Sequence, residues 1–548
     1  MSSIEKYFKQ ELRYLEEKGT EFAQEFPETA AHLNIESKGD RDPYIERLFE
    51  GFSFLTGRIQ QRLDDDFPEI SENLLESIAP EFLRPVPSMC MMQFNSRPGM
   101  QQNLHSIEKS SKISSNPVGA QHTFCEFQTT KKVEVFPLNL KSVNKVMDNR
   151  MGNGLRFTFQ FEKAAKLETL TDPCFTLYLD GERSNALFLL EALTCKTQKI
   201  KIEVNGVSVS MESMSIPKVI AGGMGAEDQL LPGDTSCLGS AGTLQDYFSF
   251  QERYRFIEFK GLDFLKTKKG LIEFSIEVYS DSFASETESK IENVFKLFVS
   301  PAINLFAMGA EPIHLDHTKF EYPLRLGKYH VDVYKIEKME GISKKGGLRK
   351  NYRNYSQVSL DYKAPYSFNR KQNHLGQYSG SLSVEVPESL GDSTEEYLSI
   401  SLSATNGNLP RQELSIGDII NASSEIPGFI LATNITRPTA TLYPPDAKDY
   451  TWYVINHMNV NLMNLCENET FLKMLDLYHW QENTFLKTLK NKFFSISSKS
   501  RSFLHQRALY RGTEVTVKWS DEFWNDPGEV ALFGRVLLQF LTNFVSLN

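Results

Sequence analysis

The sequence has no run of about 18 apolar residues, the length a helix needs to cross a bilayer. Its longest candidate, Val530 to Val545, is interrupted by Arg535, Gln539 and Asn543 and reads as a buried amphipathic helix. The opening residues, Met1 to Leu12, hold no uncharged hydrophobic stretch, so they do not read as a secretory signal. The six cysteines, Cys90, Cys125, Cys174, Cys195, Cys237 and Cys466, lie far apart with no C-x-x-C pair. Such spacing predicts reduced thiols, mostly small core residues, in a cytoplasmic protein. Basic charge is also scarce, with 60 Lys/Arg against 70 Asp/Glu and no basic stripe interleaved with aromatics, which excludes nucleic acid as an expected partner.

Catalytic and ligand-binding signatures are equally absent. Ala221 to Gly225 (AGGMG) is not followed by G-K-[ST] and reads as a flexible loop. There is no G-x-S-x-G elbow. Asp64, Asp65 and Asp66 are adjacent, so their side chains diverge, and they lack the spacing of an EF-hand. In Glu311 to His317 (EPIHLDH), Pro312 and the alternation of Ile313 and Leu315 predict extended chain, which sends His314 and His317 to opposite faces. No metal, no cofactor and no catalysis are therefore expected.

The chain is rich in large apolar rings, with 39 Phe and 21 Tyr, enough for several cores or for extensive protein interfaces. Its 548 residues suggest roughly three or four domains. Charge is unevenly placed: the first 80 residues carry 9 Lys/Arg and 18 Asp/Glu, so nearly all of the net −10 sits there. That region is either an acidic solvated surface or an acidic docking surface.

The same region has the clearest pattern in the sequence. Ile4, Phe8, Leu12, Leu15, Phe22 and Phe26 line one face of a first helix that Pro27 ends or kinks. Asp42 and Pro43 then read as an N-cap and first residue of a second helix. Ile45, Leu48, Phe49, Phe52, Leu55, Ile59 and Leu63 recur at three- and four-residue spacing, a face that has to be buried. Asp64 to Asp66 interrupts that face, Phe67-Pro68 is expected to turn the chain, and Leu74, Leu75 and Ile78 suggest a shorter third helix.

After Pro87 the period changes to two. Segments such as Met89 to Phe94, Leu155 to Phe161, Phe175 to Leu179 and Leu271 to Tyr279 read as short strands, with turns expected at Asn153-Gly154, Asp180-Gly181 and Asn205-Gly206. Asn205-Gly206 is the clearest hairpin, because both residues tolerate the positive φ of a type I′ turn. Pro444-Pro445 reads as a linker. Beyond it come helical segments at Trp452 to Leu465 and Phe471 to Leu477, a strand at Thr513 to Trp519 and a final helix at Glu529 to Phe544. The expected fold is α+β: amphipathic helices over 1–88, antiparallel sandwich-like domains over 89–299 and 300–446, and a mixed helix and strand region over 447–548.

Several of these stretches resemble the TssF (VasA/ImpG) family of type VI secretion baseplate subunits. The resemblance rests on Asp42-Pro43, Glu46-Arg47-Leu48, Glu50-Gly51-Phe52, Arg58-Ile59-Gln60, Leu63 to Glu69 and Leu83 to Met89. It continues in Ser300 to Phe306 (SPAINLF), in Glu311 to His317 and in Leu402 to Pro410, where Ala404 stands at a family cysteine position. The family's F-P-E-x-F signature is looser here, with Gln251 in place of proline. What the resemblance implies is a cytoplasmic structural wedge subunit, docked at the inner face of the inner membrane in the assembled machine. Two copies would join one TssG and be bridged by TssK, around the VgrG hub and with TssE, helping to nucleate the contractile sheath. Candidate interface residues are Tyr7, Leu12, Tyr14, Leu15, Phe49, Phe52, Leu55, Ile59, Leu63, Asp64, Asp65 and Asp66. The alternative from another class is a carbohydrate-active β-sandwich enzyme with a helical appendage, which requires two carboxylates converging in a cleft.

Overall fold

In the computed structural model the residues described are 3–26, 43–101, 103–162, 174–208, 218–231, 241–262, 271–284, 291, 293–327, 330–343, 349–355, 365–372, 378–384, 395–445, 450–458, 462–480, 487, 490–491, 493–505, 508–520 and 527–542. Asp42, Pro27 and Cys237, which the sequence singles out, lie outside them. By internal contacts the chain forms two units, Met1–Ser77 with Asp446–Ile455, and Ile78–Pro445 with Asn456–Asn548. Helices combine with largely antiparallel sheets, the α+β class that the sequence predicts.

The first unit is built on two helices, Ser3–Glu25 and Pro43–Ile78. The second corrects the sequence reading. It runs unbroken for 36 residues, through Asp64 to Asp66 and through Pro68, where a turn and a separate helix were expected. The acidic triplet interrupts the apolar face but not the backbone, since Asp side chains on a helix have only a modest propensity penalty. Pro68 forfeits a hydrogen bond, a local cost of about 3 kcal/mol, which a helix of this length can absorb.

The second unit holds three larger β assemblies. A six-stranded antiparallel sheet runs Ile419–Ala422, Lys112–Ser115, Glu126–Thr129, Val299–Ile303, Met89–Ser96, Ile430–Asn434. Its strands thus come from three distant stretches of chain. Met89–Ser96 is buried on both faces, which is why it reads as a continuous apolar run. Cys90, Met92 and Phe94 join one core with Phe127 and Ile113. Met89 and Met91 join another with Tyr178, Phe256 and Leu305. Burial pushes the Cys90 thiol far above its ordinary pKa, so it behaves as a small apolar group.

Asn434 ties the two ends of this sheet. Its Oδ1 accepts from the backbone N–H groups of Gly417 (3.0 Å) and Ile419 (2.9 Å). Its Nδ2 donates to the carbonyls of Ser415 (2.9 Å) and Thr436 (3.0 Å). A fully buried amide with four such bonds replaces a missing strand-to-strand ladder.

The sandwich predicted for the middle of the chain is present. A five-stranded sheet (Val207–Ser208, Lys199–Val204, Glu273–Tyr279, Gly152–Phe161, Leu138–Asp148) faces a four-stranded one (Lys218–Gly222, Phe256–Lys260, Phe175–Leu179, Phe295–Leu297). Phenylalanines from both interdigitate: Phe157 meets Phe259 and Phe295, and Phe159 meets Phe175, with ring centroids 4.9–6.0 Å apart. The Asn205-Gly206 hairpin forms as expected, with φ of 48° and 81°. Asn153-Gly154 is not a turn. It lies inside the strand Gly152–Phe161, with the reversal just before it, and Gly154 is needed there because a methyl group would lie 2.8 Å from the Val278 carbonyl oxygen.

The third assembly is an eight-stranded sheet centred on Asp332–Ser343 and Glu396–Thr405, with its own core of Leu315, Leu382, Leu398, Ile400 and Leu402. Two helices of this second unit escaped the sequence reading, Arg183–Thr194 and Ala241–Ser249. Both pack on the final helix, Pro527–Thr542. A methyl group at Gly528 would lie 2.3 Å from the Leu187 carbonyl oxygen, and Arg535 donates to Thr194 at 2.8 Å.

Candidate assembly surface

On the long helix, Phe49, Ser53 and Gly57 stand at four-residue spacing and share one face. Ser53 and Gly57 are buried and Phe49 is half-buried. The first helix lies against this row. A methyl group at Gly57 would sit 3.0 Å from the Phe8 backbone nitrogen and 3.1 Å from the Tyr7 carbonyl carbon. Glycine inside a helix costs about 1 kcal/mol relative to alanine. Here it is the residue that lets two helix backbones touch. Sequence reading passed over Ser53 and Gly57, although a glycine within a strong helical pattern was the available signal.

The predicted apolar face points elsewhere. Leu48 is 67% exposed, Phe52 57%, Leu55 59% and Ile59 60%. Their spacing, four then three then four, keeps them on a seam with a period near 3.5 residues, the repeat by which one helix packs along another. Tyr44 and Phe54 add to the exposed apolar area, while Arg47 pairs with Glu50 at 3.3 Å on its border. So the expectation that this face is buried does not hold within the single chain. Along this stretch the described side chains that are covered belong to the adjacent row of Phe49, Ser53 and Gly57.

The remaining candidates divide. Tyr7, Leu12 and Leu15 of the first helix are half-buried and Tyr14 is exposed. Leu63 and Asp64 to Asp66 belong to the long helix, and their side chains lie outside the described residues. The helical pair is strongly acidic, and its exposed acids include Glu17, Glu21, Glu25 and Glu46.

The described residues hold no group of three or more His, Cys, Asp or Glu placed to bind a metal. His314 lies in the short strand Ile313–Leu315 near Glu395 at 3.5 Å, while His317 falls beyond the strand with φ 55°, so the extended chain expected there stops at Leu315. A groove of about 570 Å³ is lined by His122, Phe124, Glu126, Phe306 and Asn406 among others. Among the described residues of that lining Glu126 is the only carboxylate, whereas glycoside hydrolysis takes two. No helix among the described residues is long and apolar enough to cross a membrane.

The family described as "Type VI secretion system, TssF" matches residues 1–548. The chain belongs to the TssF family. The type VI secretion system component TssF1 of Pseudomonas aeruginosa is 25% identical over 593 residues, covering 99% of this chain and 94% of that protein. Two solved structures share the TssF fold seen here. A chain of the type VI secretion system TssK-TssF-TssG baseplate subcomplex, solved by cryo-electron microscopy, superposes with a TM-score of 0.78 at 24% identity, covering 92% of this chain and 94% of that one. A chain of the baseplate complex from the type VI secretion system gives 0.62 at 23%, covering 100% and 95%.

Proposed function

We propose that this TssF family member is a structural, non-catalytic wedge subunit of a type VI secretion baseplate, and that it assembles through the apolar seam of its long helix. The observation that carries this reading is the seam itself. Leu48, Phe52, Leu55 and Ile59 form one continuous exposed row on a 36-residue helix. An exposed apolar row of this kind marks a surface that a partner covers. Stable obligate interfaces bury on the order of 2,000 Å² or more, so the seam is the central strip of a larger contact.

The partner proposed for the seam is a helix of a TssG-type subunit, with a TssK-type subunit completing the complex. The solved subcomplex, one of whose chains shares this fold, is one of TssK, TssF and TssG together. Two copies per TssG-type subunit, contacts with TssE and the VgrG hub, a part in nucleating the sheath and a cytoplasmic place at the inner membrane complete the proposal. Co-expression of the chain with its TssG- and TssK-type neighbours, followed by size-exclusion chromatography with light scattering, tests it. A discrete complex with two copies of this chain per TssG-type subunit is the expected outcome. A chain that elutes alone beside its neighbours refutes it.

A further inference from the structure

The strands Phe493–His505 and Ala508–Trp519 pair with each other over their whole length and with no third strand among the described residues. Among the described side chains, those that hold this ribbon lie at its base. Ile496 is buried, and Phe493 and Trp519 pack on each other and on Phe471, with Trp519 also against Phe533. Beyond Ser498 the described side chains of Lys499, Ser500, Arg501, Ser502, Thr513 and Glu514 are exposed or half-exposed. From Lys499 to His505 the ribbon extends for about 23 Å at strand rise. A two-stranded ribbon is marginally stable in water unless something packs on it.

Its charge is opposite to that of the chain. Phe493 to Trp519 contains five Lys/Arg and one acid, Glu514, a net +4 in a protein of net −10. Lys499 and Arg501 are two residues apart on one strand, and Lys518 pairs in register with Ser495, so all three fall on one face of the ribbon. The counterpart is the first helix. Glu17, Glu21 and Glu25 stand at four-residue spacing on one exposed edge, within a region of net −9. Carboxylates there recur about every 6 Å, and alternate residues along the ribbon face about every 6.8 Å.

We infer that the 493–519 ribbon is a basic docking arm that engages the acidic first helix of a second copy of this chain. The contact uses neither the apolar seam nor its proposed partner. The exposed ion pairs Arg13–Glu17 and Lys18–Glu21 on the helix, and Arg501–Glu514 at 3.0 Å on the ribbon, are weakly held and can rearrange to admit it.

Sedimentation velocity of the full chain over a concentration series tests the inference, at about 50 mM and about 500 mM NaCl. The expected result is self-association that weakens about tenfold or more at the higher salt and in the double variant Lys499→Glu/Arg501→Glu. The reciprocal variant Glu17→Lys/Glu21→Lys is expected to lose self-association equally. An equimolar mixture of the two variants is expected to associate again, because each ribbon then meets a helix of opposite charge. Circular dichroism on each variant confirms that the fold is kept. A chain monomeric at low salt, association that ignores salt and both variants, or a mixture that stays monomeric would each overturn the inference. Salt-insensitive association would instead point to the seam. A monomeric chain that sediments with phosphatidylserine vesicles through the ribbon would assign the arm to a lipid surface and likewise overturn it.

Discussion

Replacing Phe52 by Asp separates folding from assembly. A phenylalanine side chain offers about 200 Å² for burial. With 57% of it exposed in the single chain, roughly 110 Å² remains for a partner to cover, worth about 3 kcal/mol at 25 cal/mol per Å². An aspartate at that position would also have to lose water on docking, which adds at least 1–2 kcal/mol. Assembly should therefore weaken by about 4–5 kcal/mol, a factor of about 1,000 in the dissociation constant. The isolated chain should lose almost nothing, within about 0.5 kcal/mol, because exposed helix positions tolerate a polar residue. The assay pairs two readouts: urea unfolding of the isolated variant, and affinity for the TssG- and TssK-type neighbours by co-purification and calorimetry. A variant that still assembles with near-normal affinity refutes the seam. A variant whose isolated chain unfolds refutes the exposed placement of Phe52.

Two further outcomes follow from the packing. Gly57→Leu forces a branched side chain against the Phe8 backbone, and the overpacking, about 1–3 kcal/mol, exceeds the helix propensity gained, about 1 kcal/mol. Hydrogen-exchange protection of Ser3–Glu25 should fall about tenfold, and unchanged protection would contradict the helix contact. His457 is buried near Tyr478, and desolvation holds its pKa down to about 4. The unfolded chain takes up that proton below about pH 6.5 and the native chain only near 4, so stability present above pH 6.5 is lost as pH falls through that window, by about 3 kcal/mol. His457→Phe removes this term, and its urea midpoint should gain on the parent chain's between pH 7 and pH 4. Parallel pH profiles would show that His457 is not held neutral.

Much of the fold could be read from local pattern. Phe175 to Leu179 is a strand with the predicted bounds. The Asn205-Gly206 turn follows from two residues that accept positive φ, and the final helix begins two residues before its predicted start. The readings that failed are those in which a local signal competes with a longer one. Pro68 reads as a stop, yet it sits inside a helix whose other turns continue it. Arg183–Thr194 has six buried apolar residues spread around its circumference, so its apolar pattern has no helical face to find. Asn153-Gly154 has the composition of a turn, but the glycine is required by the neighbouring strand.

The candidate surface was half legible for the same reason. Periodicity placed Leu48, Phe52, Leu55 and Ile59 on one helix face, because 3.6 residues per turn is a property of the backbone alone. It assigned that face to burial, because apolar side chains gain by leaving water whatever covers them. What covers each face is a question of which surfaces meet in space. The structure gives the intrachain contact to the Ser53 and Gly57 row, where small residues admit the first helix, and leaves the larger side chains exposed. In the same way, sequence determined that Met89–Ser96 is a strand. Only the tertiary structure decided that it is flanked by Val299–Ile303 and Ile430–Asn434, since pairing between segments some two hundred residues or more apart leaves no local trace.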